Sequence, residues 1–134
     1  MAEGYQATKG NVETFLKEVR NILKIPESRL DIMPREDKPI EYSTEYCLRD
    51  LGFETEDVKE ELKKLKLSEY VECCPDKRNQ NSRDYYVFSK IYNQKQVYIK
   101  IKIKSYDSKV ILCMSFHYAQ YETTRFPYRG KEVE

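Results

Sequence analysis

Gln96-Val97-Tyr98-Ile99-Lys100-Ile101-Lys102-Ile103-Lys104 and, beyond a short polar turn, Val110-Ile111-Leu112-Cys113-Met114-Ser115-Phe116-His117 decide how this chain folds. Side chains in a strand point alternately to opposite faces, so Val97, Ile99, Ile101 and Ile103 share one face while Tyr98, Lys100, Lys102 and Lys104 share the other. The second segment alternates too, with Val110, Leu112, Met114 and Phe116 on one side and Cys113, Ser115 and His117, the chain's one histidine, on the other. One face builds a core, and the other is a row of a phenol and three ammonium groups.

The turn between them sets a register. With Asp107-Ser108 as a tight two-residue loop, Ile103 lies opposite Leu112, Ile101 opposite Met114 and Ile99 opposite Phe116, so the apolar rows coincide. The same register sets Tyr98 opposite His117, Lys100 opposite Ser115 and Lys102 opposite Cys113, within cross-strand contact distance. A slip by one residue buries the polar set; a slip by two keeps the faces and makes Tyr98 and His117 diagonal neighbours.

Upstream, Asp84 to Ile91 reads as a further strand, joined to Gln96 through a hairpin at Tyr92-Asn93-Gln94-Lys95. The polar stretch Pro75 to Arg83 reads as a loop. Val12, Phe15, Leu16, Val19, Ile22 and Leu23 recur at helical spacing, which predicts an amphipathic helix over 12–24 with Asn11 as its cap. Ser43 or Thr44 caps a second helix ending at Gly52, and Thr55 caps a third from Glu56 to about Leu65, while Ser68 starts one more turn through Tyr70. Arg29 to Met33 fits a short strand. The expected fold is α+β, an antiparallel sheet of three to four strands with amino-terminal helices packed on one face and the polar face open. Residues 1–10 are expected as a flexible tail, 11–128 as a single domain and 129–134 as a second tail.

At 134 residues the chain is long enough for a core that needs no disulfide or metal. It has no apolar run of membrane-spanning length and no charged-then-apolar leader after Met1, so a cytoplasmic location is expected and a membrane partner is not. Cys47, Cys73, Cys74 and Cys113 lack the two-by-two spacing of a zinc site; they read as free thiols in a reducing compartment, and no cofactor is expected. The net charge of +1 hides an asymmetry: residues 1–75 hold 12 Lys/Arg against 17 Asp/Glu, and residues 76–134 hold 12 against 6. A basic, tyrosine-rich second half fits a polyanion partner, because ammonium groups release counterions from phosphates and aromatic rings stack on bases. A lysine-rich solvated sheet face is the alternative.

RNA can be cleaved without a metal. A base takes the proton of a 2′-hydroxyl, the oxygen attacks the adjacent phosphorus, an acid protonates the departing 5′-oxygen, and cations steady the phosphate charge. Histidine, tyrosine and lysine converging on one phosphate supply those roles, and Tyr98, Lys100 and His117 share a face.

These residues also carry a resemblance. Val87-Phe88-Ser89-Lys90, Val97-Tyr98-Ile99-Lys100-Ile101-Lys102-Ile103 and Cys113-Met114-Ser115-Phe116-His117 resemble the carboxy-terminal half of the MqsR family of bacterial toxins, messenger-RNA-cleaving enzymes with a RelE-like fold. Leu48-Arg49-Asp50-Leu51-Gly52-Phe53, Ser68-Glu69-Tyr70 and Pro34-Arg35-Glu36-Asp37-Lys38 resemble its upstream elements, so the similarity runs from about Ile32 to Tyr128. It implies the toxin of a type II toxin-antitoxin system: a ribosome-independent endoribonuclease acting on mRNA, neutralised by a cognate antitoxin that often carries zinc-binding and helix-turn-helix domains. Tyr98 falls at the family's active-site tyrosine, and His117 stands where the best-known member has a lysine. A family lysine near Tyr70 is Val71 or Glu72 here, and a family glutamine falls near Ser89. The resulting assignment is His117 as acid or base, Tyr98 as its proton-transfer or hydrogen-bonding partner and Lys100 as a cation. Lys90, Arg35, Lys102, Tyr121 and Arg125 are RNA- or phosphate-binding candidates, and no residue is expected to bind a metal. The rival is a non-catalytic nucleic-acid- or protein-binding module, an inactive toxin homologue.

Overall fold

In the computed structural model, the described residues are 4–33, 39–78, 82–105, 107 and 109–130. Five strands form one mixed sheet: β1 (Arg29–Ile32), β2 (Tyr70–Cys74), β3 (Tyr85–Tyr92), β4 (Lys95–Ser105) and β5 (Val110–Tyr118), in the order β1-β5-β4-β3-β2. Three helices, α1 (Lys9–Leu23), α2 (Thr44–Leu51) and α3 (Thr55–Leu62), complete the α+β fold. No described helix is long and apolar enough to cross a membrane.

The expectation of three to four antiparallel strands is corrected on two counts. β1 joins β5 in parallel, a pairing between segments some eighty residues apart that no local turn announces. β2 begins where a helical turn was expected to end. Its Tyr70 and Val71 favour an extended chain, and after a single 3-10 turn at Leu67–Glu69 the chain extends along β3.

α1 buries the stripe Val12, Phe15, Leu16, Val19, Ile22 and Leu23, with Phe15 stacked on Tyr86 at 3.8 Å between ring centroids. Its cap is Thr8 rather than Asn11, whose backbone N–H donates to the Thr8 hydroxyl. α2 is capped by Ser43 and stops at Gly52, whose φ of +73° suits a residue without Cβ. α3 opens on a capping box in which Glu54 and Asp57 exchange side-chain and backbone bonds, one residue before the expected cap. Val58 and Leu62 face the core. Beyond the end of β1, the Phe116 N–H donates to Thr44 Oγ1 at 3.1 Å, so the start of α2 satisfies a strand donor that β1 is too short to reach.

Between β3 and β4 the expected hairpin forms, with Tyr92 opposite Lys95 and positive φ at both Asn93 and Gln94, the pairing of conformations a tight two-residue turn requires. The expected Asp107-Ser108 turn lies partly outside the described residues. Part of the segment expected as a flexible tail is held to the edge of β2: Tyr5 and Cys73 exchange backbone hydrogen bonds of 2.9 and 2.7 Å.

The β4–β5 register matches expectation at one end. Tyr98 faces His117, Ile99 faces Phe116 and Lys100 faces Ser115. It then shifts: Ile101 pairs with Cys113 and Lys102 with Leu112, leaving Met114 as a bulge. The extra residue reverses the parity of the strand, so Ile111 and Cys113 enter the core in place of Leu112 and Met114, which are only half-buried.

Candidate functional site

The sheet face turned away from the helices carries the polar row of β4, and the pairings extend that row across three strands. Ser89 of β3 lies opposite Tyr98, and Tyr98 opposite His117. The Tyr98 and His117 rings stack, with centroids 5.2 Å apart and planes 17° from parallel. His117 Nδ1 lies 2.9 Å from the carbonyl oxygen of Tyr118. A carbonyl can only accept, so Nδ1 carries a proton. Burial pushes the Tyr98 phenol well above its ordinary range, reinforced by the negative potential of Cys74 and Glu72. The phenol therefore stays protonated.

This end of the face is roofed, which corrects the expectation of an open polar face. His117 and Ser89 are each 3% exposed. After β5 the chain turns back over the sheet: the Gln96 side chain donates to the Thr123 carbonyl at 2.9 Å and accepts the Thr123 N–H at 2.7 Å. Arg125, Phe126 and Pro127 then line a cleft of about 550 Å³ with Gly4 and Glu72, at the far edge of the sheet. The path from Gln96 on β4 to Glu72 on β2 crosses the face at the end where Ser89 and Tyr98 lie. Tyr128 anchors the strap, donating to the Ala7 carbonyl at 2.5 Å and stacking on Tyr70.

The other end of the face is a basic cleft. The Tyr85 ring lies between the ammonium groups of Lys100 and Lys102, each 5.0 Å from its centroid. Burial and the carboxylate of Asp76 push the Tyr85 phenol up to about 12. Lys102, 4% exposed, is paired with Asp76, 8% exposed, and contacts the Ser82 hydroxyl. Asp76 also accepts the Arg78 backbone N–H at 3.0 Å, so Asp76, Arg78 and Ser82 are tied down over the sheet. A cavity of about 740 Å³ opens on one side of this tie, bordered by Arg78, Lys102 and Lys104. A second, of about 320 Å³, opens on the other, bordered by Lys77, Lys100 and Cys74.

Of the residues selected from sequence, Tyr98, His117, Lys100 and Lys102 meet on this face. Lys90 does not: it belongs to the helix-packed face, 3.3 Å from the Glu69 carboxylate and 5.9 Å from the centre of the Tyr92 ring. Arg125 borders the cleft beneath the strap, and Tyr121, 79% exposed, stands on the outside of it. Arg35 lies outside the described residues. The sequence reading missed Tyr85, Asp76 and Arg78. Tyr85 was within reach, because the two-residue hairpin at Asn93-Gln94 gives it the parity of Ser89; Asp76 and Arg78 lie in a loop whose return over the sheet has no periodic signal. Among the described residues, no three of the His, Cys, Asp and Glu side chains come together as a metal site would require.

No protein-family model, curated protein or solved structure matches the chain.

Proposed function

We propose that this chain is an endoribonuclease that binds messenger RNA along the second face of its sheet and cleaves it at the Ser89–Tyr98–His117 row, independently of the ribosome. The observation that carries the reading is the stacked pair at its centre: an imidazole whose Nδ1 is fixed as a donor, beside a phenol kept protonated, with Lys100 next along the strand.

In this mechanism His117 Nε2 takes the proton of a 2′-hydroxyl. The 2′-oxygen attacks the adjacent phosphorus, the bond to the 5′-oxygen breaks, and that oxygen leaves with a proton from Tyr98. The products are a 2′,3′-cyclic phosphate and a 5′-hydroxyl. Lys100 steadies the charge that gathers on the phosphate, and each acid or base group contributes about 100- to 10,000-fold. No step requires a metal or other cofactor. The resemblance to the MqsR toxins supports the same reading and extends it: a RelE-like toxin of a bacterial type II system, acting in the cytoplasm and held in check by a cognate antitoxin of the zinc-finger or helix-turn-helix type.

One observation favours the rival, a binding module without turnover. A histidine 3% exposed reaches no 2′-hydroxyl until its surroundings open. A long RNA incubated with the protein in EDTA separates the two. The enzyme yields discrete fragments with cyclic phosphate ends, lost in His117→Ala and strongly slowed in Tyr98→Phe; intact RNA held in tight, salt-sensitive binding supports the module. Expression should also arrest growth, with relief by co-expressed antitoxin.

A further inference from the structure

We infer that the cavity beside Lys102 is a nucleobase pocket that reads one nucleotide flanking the cleaved bond. The inference rests on the second face being an RNA site, and it adds how that site selects sequence.

The bulge at Met114 creates the pocket. Unbroken alternation would have placed Leu112 and Met114 beneath the helices with Phe116. The unpaired residue instead puts both at the cavity of about 740 Å³, among the lysines of β4. Met33 and the Tyr85 ring complete an apolar wall, Arg78 stands at the rim with Lys104 and its partner Asp31, and the Lys102–Asp76 pair lies buried beside them. Leaving two large apolar side chains half-buried at a cavity among lysines does little for a solvated sheet face. It suits a ligand that is flat and apolar in its body and anionic at its edge, which is the chemistry of a base on a phosphodiester.

The volume is in the range of small-molecule sites, and Arg78, exposed at the rim, carries the sign of charge a phosphate needs. The tie between Lys102 and Asp76 holds the loop that carries Arg78 against the opening, so one wall is fixed before any ligand arrives. Along β4 the rim at Lys102 is four residues from Tyr98, about 13 Å. The base held here is therefore a neighbour of the scissile nucleotide.

The chain's three methionines, Met1, Met33 and Met114, make the test direct, because two of them line the cavity. Full-length protein labelled at the methionine methyls is titrated with each of the four nucleoside 5′-monophosphates, with ribose 5-phosphate and with inorganic phosphate. At least one mononucleotide at millimolar concentration is expected to move the Met33 and Met114 signals saturably and leave Met1 in place, while ribose 5-phosphate and phosphate do not. Leu112→Trp, which fills the cavity from its wall, should abolish the shifts with helical circular dichroism unchanged. Arg78→Ala, at an exposed rim position, should weaken binding about fivefold.

Shifts as large with ribose 5-phosphate, or none with any mononucleotide, overturn the pocket. A labelled RNA followed by fluorescence anisotropy separates this from the wider reading. RNA that binds without moving Met33 or Met114 overturns the pocket and leaves the RNA reading standing. A mononucleotide that moves them in a protein that binds no RNA upholds the pocket and overturns the RNA reading.

Discussion

Lys102→Met removes one ammonium group and keeps most of the side-chain volume. Its effect follows from the surroundings: Lys102 and Asp76 are both almost completely buried, so the variant leaves a carboxylate without its ammonium partner, among hydrogen-bond donors that include the Tyr85 phenol, the Arg78 N–H at 3.0 Å and the Ser82 hydroxyl at 3.5 Å. Breaking a buried ion pair from one side costs about 3–5 kcal/mol. The low end applies, because Asp76 keeps hydrogen-bond donors when the ammonium group is gone. Lys102→Met should therefore lose about 3 kcal/mol, a large share of the roughly 5–15 kcal/mol that holds a domain together. Adding Asp76→Asn removes the stranded charge, so the double variant should recover about 2 kcal/mol of that loss. Equilibrium urea unfolding of the four proteins measures both quantities, with a midpoint shift of about 1–2 M expected for the single variant. A loss below about 0.5 kcal/mol, or a cycle with no coupling, refutes the tie as the element that holds the loop over the sheet.

Three further outcomes follow from local geometry. Gly52→Ala meets no atom within 4 Å of its new Cβ but must hold φ at +73°, so it should cost about 1 kcal/mol in the same unfolding assay from backbone strain alone. Tyr5, Tyr70, Tyr85, Tyr86, Tyr92, Tyr98 and Tyr118 all have phenols raised above the ordinary value. Above about pH 10 the unfolded chain gives up phenolic protons that the folded chain keeps, so stability is full below that pH and falls as pH rises further; absorbance titration should show delayed ionisation ending in cooperative unfolding. Gln96→Ala removes both hydrogen bonds that hold Thr123 and should speed amide hydrogen exchange across 119–128 by about tenfold, leaving the β3 and β4 amides unchanged.

The parts of this fold that were legible from sequence are those where pattern and local chemistry agree. The stripe of α1, the Ser43 and Gly52 ends of α2 and the Asn93-Gln94 hairpin are each written in a few neighbouring residues. The Tyr98–His117 pairing was legible for a related reason, since the apolar rows of both strands demand it. Alternation failed one residue away. Val110, Leu112, Met114 and Phe116 alternate without a break, and nothing local marks Met114 as the residue the partner strand skips; the bulge is imposed by β1 and the helices, which require Ile111 and Cys113 inside. The same limit hid the parallel pairing of β1, the Lys102–Asp76 tie and the strap held by Gln96, because each joins segments far apart in the chain. The candidate site was thus half legible: the strand residues were named, while the loop and tail residues that cover them were not.

His117, as the chain's one histidine, gives a single set of imidazole signals in an NMR spectrum. Titration with a 2′-O-methyl RNA, which cannot be cleaved, asks directly whether RNA lies on the second face. The His117 ring signals are expected to shift saturably, with the same midpoint as RNA binding measured by anisotropy. RNA that saturates the protein and leaves those signals where they were would contradict it.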